Sequence, residues 1–125
     1  MELIFRICLF ITGIINILPS FLAFLPDRIS TAYGIEVPDA NYELLLRHRA
    51  VLFAIIGGIM IYSALTKKNY SLAVLIGLVS MISFVLLYLL MDGEISPELL
   101  KVMKIDIVGI IILLLGYIVL SLKKK

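Results

Sequence analysis

The chain has 125 residues, and 11 Lys and Arg against 9 Asp and Glu leave a net charge of only +2, with 62% hydrophobic residues and a mean hydropathy of +1.15. A soluble domain of this size carries more charge than the 16% found here, and a small globule cannot hide so much apolar surface. The basic residues form no continuous face, which argues against nucleic-acid binding. Lipid is the natural solvent for this composition, and the expectation is an all-α integral membrane four-helix bundle forming a single domain over residues 1–125.

The first apolar stretch runs over residues 3–25. It has Arg6 as its only basic residue, lacks a small-x-small cleavage pattern and exceeds the length of a signal peptide's apolar core, so it is expected to be a retained span. Its lone Cys8 has no partner for a disulfide and reads as packing. Thr12, Gly13, Asn16, Ser20 and Ala23 share one face at the helical period of about 3.6 residues. A connection punctuated by Pro26, Gly34 and Pro38 follows. Its segment 26–34 reads either as a plain spacer or as a short interfacial helix with Ile29 and Tyr33 on the apolar side.

The second span is expected over residues 44–65, with Ala50, Ala54, Gly57 and Gly58 as its small stripe, and residues 66–69 form a tight turn to the third, at 70–91. There Tyr70, Ala73, Gly77, Ser80 and Tyr88 share a face. Gly93 stops that helix, and Ser96, Pro97 and Glu98 supply an N-cap, a first-turn proline and a dipole-favoured acid for the fourth, at 97–122. On it Asp106, Gly109, Gly116 and Tyr117 align. Small residues let helices approach closely in lipid, where no hydrophobic push holds them together, so helix packing accounts for all four stripes.

Packing does not account for the ionisable groups. Asp106 lies about one turn inside the fourth span, and Arg47, His48 and Arg49 open the second on the same side of the membrane. Arg47 and Arg49 point roughly 160° apart on the helical wheel. Arg47 aligns with the small stripe, whereas Arg49 is deeper and less able to reach water. Depth favours Arg49 as the partner of Asp106, with Arg47 snorkelling to headgroups. Tyr88 reaches the same level and Asn16 lies closer to mid-membrane. His48, the only histidine, reads as an interfacial hydrogen-bonding residue or as a ligand or proton carrier. One histidine and one cysteine give no metal or haem site, so no cofactor is expected.

Orientation follows from the basic clusters. Arg6, Lys67, Lys68 and the three terminal lysines on one side stand against Arg28, Arg47, Arg49, Lys101 and Lys104 on the other, six against five, and the lysines grouped at the short turn and the C-terminus lead to the expectation that both termini are cytoplasmic. The terminal lysines can also meet anionic lipid headgroups.

Four pieces of sequence carry a resemblance: Ile15-Asn16-Ile17-Leu18-Pro19, Tyr33-Gly34-Ile35, the run from Leu45 to Phe53 through Arg47-His48-Arg49, and Ile105-Asp106-Ile107-Val108-Gly109. Over nearly its full length the chain resembles the small four-helix DoxX-like proteins of bacterial inner membranes. Some similar proteins bear the label phosphopantetheine adenylyltransferase. The residues here do not support that activity, because it needs a soluble α/β sheet, a phosphate-binding helix start and a histidine pair. The resemblance also implies a link to quinone-linked redox complexes, with any redox centre supplied by a bound quinone or a membrane partner subunit.

Three functions follow as expectations. The leading one is a non-catalytic membrane protein whose outward polar pocket, formed by Asn16, Arg49, Asp106 and Tyr88, binds a lipid-like molecule, a quinone or a partner helix. The second is a membrane enzyme or small transporter that moves protons with Asp106 and His48. The third is a structural subunit in which an arginine–aspartate contact sets helix register.

Overall fold

The computed structural model describes residues 1–124 as helices joined by short connections, with no strand among them. Helix α1 spans Glu2–Ile17, short α2 Ile29–Tyr33, α3 Ala40–Thr66, α4 Tyr70–Leu90 and α5 Pro97–Lys123. Four helical stretches are long and apolar enough to cross a membrane, so this is a multi-pass membrane protein.

The first span changes character where proline dictates. Pro19 has no N–H to give to the Ile15 carbonyl, and after Ile17 the chain tightens into a six-residue 3₁₀ segment, Leu18–Ala23. The 16 residues of α1 rise about 24 Å, short of a hydrocarbon core of about 30 Å. The 3₁₀ segment adds about 12 Å and completes the crossing.

Helix α3 begins four residues before the expected position 44. Asp39 caps it, accepting from the backbone N–H of Asn41 at 2.9 Å and of Tyr42 at 3.2 Å. At its far end Lys67 and Asn69 both take left-handed backbone angles, φ 60° and 58°, to reverse the chain into α4. Helix α5 starts as expected, with Ser96 accepting from Leu99 N at 3.3 Å and Pro97 in its first turn.

Each long helix packs on its neighbours in the order α1, α3, α4, α5, with α5 closing back on α1. The closest approach joins α1 and α3, where a side chain on Gly57 would strike the Gly13 carbonyl at 2.6 Å. Gly77 and Gly109 instead face the methionine side chains of Met60 and Met81, and Gly116 receives Cys8. Gly58 is not part of this seam: a Cβ there meets nothing within 4 Å.

The interior divides into two apolar clusters. One, including Phe5, Leu9, Met60, Met81 and Leu113, fills the half nearer the termini. At that end Tyr70 Oη donates to Glu2 Oε1 at 2.8 Å and Arg6 Nε donates to the Ala64 carbonyl at 2.6 Å, tying α1 to α3 and α4. The second cluster, Leu22, Ala23, Ile29, Tyr33 and Ala50, closes the opposite end. Residues 26–34 do form short helical turns, but Ile29 and Tyr33 turn inward, at 0% and 5% exposure, and plug the bundle rather than lie on lipid. Gly34, at φ 60°, ends α2 in the left-handed conformation, and Ser96 Oγ donates to the Tyr33 carbonyl, which pins the plug to the start of α5.

Candidate functional site

The polar layer lies between the two apolar clusters. A cavity of about 100 Å³ is lined there by Asn16, Leu18 and Pro19 of the first span, Arg49 and Phe53 of α3, Tyr33 of the plug, and Ile105 and Asp106 of α5, together with Ile15 and Val102. The Pro19 break contributes directly: it removes the donor that the Ile15 carbonyl would have in a continuous helix.

Arg49 is the centre of this layer. Its guanidinium carbon lies 4.7 Å from the Phe53 ring centroid, 5.2 Å from Tyr33 and 5.3 Å from Phe84. Each distance falls within cation–π range, worth about 0.5–2 kcal/mol apiece depending on desolvation. One guanidinium nitrogen, Nη2, is buried without a hydrogen-bond partner. A buried donor left unpaired costs about 1–3 kcal/mol, more when charged, so the three rings hold a cation whose hydrogen-bonding capacity is unspent.

Asp106 is half-buried and faces the same cavity, but no ion pair within 4.0 Å joins it to Arg49; among the described residues the ion pair formed is Arg47 with Glu43, at 3.3 Å. The basic and the acidic side chain therefore line one cavity without a direct ion pair. Asn16 is 3% exposed and already engaged. Its Nδ2 donates to the Thr12 carbonyl at 2.9 Å, and Ser80 Oγ donates to its Oδ1 at 3.5 Å, linking α1 to α4 beneath the cavity.

The remaining candidates lie elsewhere. Arg47 does not simply snorkel: its Nε donates to the Ala23 carbonyl at 2.8 Å, capping the last turn of the 3₁₀ segment while its tip meets Glu43. His48 is exposed and does not line the cavity, so the structure does not bring it together with Asp106. Tyr88 lines a separate cleft of about 300 Å³ with Phe84, Leu87, Met91, Ile95, Leu99 and Arg49. A second cleft, of about 270 Å³, runs between α3 and α4 past Leu52, Phe53, Ser80, Ser83, Phe84 and Leu87, again reaching Arg49. Leu52 and Leu87 are exposed on the bundle's apolar exterior, so Arg49 is approached from the lipid side on both flanks of Phe84.

The aromatic cage was invisible in the sequence in two of its three members. Phe53 is four residues after Arg49 and shares its face, which is a readable signal. Tyr33 and Phe84 reach Arg49 only through the fold. Among the described residues no group of His, Cys, Asp and Glu could hold a metal ion. Comparison with protein families, curated proteins and solved structures finds no match to this chain.

Proposed function

We propose that this multi-pass membrane protein is a non-catalytic binding protein, and that its polar layer takes the head of a lipid-like molecule, a quinone being one such molecule. The observation that carries this reading is the buried, unpaired Nη2 of Arg49 at a cavity shared with Asp106. A native site tolerates an orphaned buried donor poorly unless something else satisfies it. The clefts along Phe84 give an apolar body a place to lie, while the inward-turned Ile29 and Tyr33 close the aqueous end. Pockets between bundle helices with a few convergent polar groups suit such ligands.

In this reading the protein resides in a bacterial cytoplasmic membrane with both termini inside and the Arg49 layer in the outward half. The basic residues around the termini and the Lys67–Lys68 turn support that orientation. The DoxX-like resemblance is part of the same proposal, as is a membrane partner subunit that would use the bound molecule.

Native mass spectrometry of the protein released from lipid tests the reading. The wild type should retain a small molecule that Arg49→Gln loses, while His48→Gln retains it. A wild type that carries no adduct, or an adduct equally retained by Arg49→Gln, would count against it.

A further inference from the structure

The same layer constrains the chemistry of its ligand, an inference that rests on the binding role proposed above. The cavity holds one cation and one anion, Arg49 and Asp106, which face it from α3 and α5 without a direct ion pair. The two other polar side chains lining it are neutral: Asn16 is occupied with Thr12 and Ser80, and Tyr33 lays its ring against the Arg49 guanidinium. A ligand head with its own charge would leave that charge without a counterion in a layer bounded by two apolar clusters, an expensive arrangement in low dielectric. A neutral head leaves the balance intact.

Neutrality alone is not enough. The unpaired Nη2 of Arg49 is a donor and needs an acceptor. An ionised Asp106 carboxylate is an acceptor and is best served by a donor. A hydroxyl supplies both functions in one small group, and about 100 Å³ accommodates a head of only a few heavy atoms. The α3–α4 cleft beside Phe84 and Leu87 shares Arg49 and Phe53 with the cavity, and its apolar lining suits the rest of such a molecule. We infer that the ligand is a neutral, hydroxyl-bearing amphiphile whose hydroxylated head bridges Arg49 and Asp106 while its apolar part lies against Phe84 toward the lipid.

Four probes with the same acyl or alkyl chain separate the possibilities: 1-monooleoylglycerol, methyl oleate, oleate and oleylamine. Each is titrated into the purified protein in detergent, with binding read by native mass spectrometry. The inference expects monooleoylglycerol to bind at least about tenfold more tightly than the other three, the equivalent of one well-made hydrogen bond to a charged group. In Asp106→Asn the advantage over methyl oleate should shrink, and in Arg49→Gln both neutral probes should weaken. The comparison among probes on the wild type needs no variant to fold. Oleate or methyl oleate binding as tightly as monooleoylglycerol would overturn the hydroxyl inference while leaving the binding role standing. Arg49-independent binding of all four, or no binding at all, would overturn both.

Discussion

Replacing Gly57 by alanine tests the helix seam on which the polar layer depends. The added Cβ would lie 2.6 Å from the Gly13 carbonyl oxygen, 2.6 Å from Ile17 Cγ1 and 2.9 Å from Ile17 N. Two of those three atoms are backbone and cannot swing aside, so α1 and α3 must separate by roughly 0.8 Å to restore ordinary contact; such a gap forfeits about a quarter to a half of each affected dispersion well. Spread over the seam, the cost is about 1–3 kcal/mol, the range of an overpacked core. Gly77→Ala meets the Met60 side chain at 2.8 Å, whose flexible end can move, so it should cost less than about 1 kcal/mol. Gly58→Ala meets nothing within 4 Å and removes a helix-weakening glycine, so it should be neutral or stabilising by up to about 1 kcal/mol. Reversible unfolding in mixed micelles, followed by helical circular dichroism, measures all three. Gly58→Ala destabilising as much as Gly57→Ala would refute the assignment of the seam.

The Arg49 and Asp106 charges should couple by about 1–3 kcal/mol in a double-mutant cycle of Arg49→Gln and Asp106→Asn, because they share a cavity without direct contact. A cycle pairing Arg47→Gln with Asp106→Asn should give none, and the reverse pattern would mean the cavity is wrongly assigned. Arg47→Gln should itself destabilise by about 1.5–3 kcal/mol through loss of its charged hydrogen bond to the Ala23 carbonyl, a loss that unfolding of His48→Gln should not show. Reporters fused after Lys124 and inserted at Gly34 should occupy opposite compartments, with the former cytoplasmic; a periplasmic signal after Lys124 would reverse the proposed orientation.

Much of the fold was legible because lipid imposes a simple rule: each crossing needs a long apolar helix, and composition marks it directly. The four spans, the Ser96 cap and the Gly77, Gly109 and Gly116 contacts all follow from local pattern. Gly58 did not, since it neighbours Gly57 in sequence but faces open space, and adjacent helical positions point about 100° apart. The same step separates Ile111, 51% exposed and a lipid-facing control for glycine substitutions, from the half-buried Ile112 beside it.

The sequence by itself determined an all-α membrane bundle and the depth of its ionisable residues, because both depend on the order of residues along single helices. Depth grouped Asn16, Arg49 and Asp106 with Tyr88; the first three line one cavity, whereas Tyr88 lines a different cleft that also reaches Arg49. Only the tertiary structure decided what surrounds Arg49. Tyr33 arrives from a connection that folds inward and Phe84 from the next helix, and neither separation along the chain nor hydropathy encodes that meeting. Arg47 shows the same limit: its small-residue face suggested the bundle interior and its length suggested headgroups. The proline-shortened end of the first span offered a bare carbonyl within reach, and hydrogen-bond satisfaction across two helices settled its place.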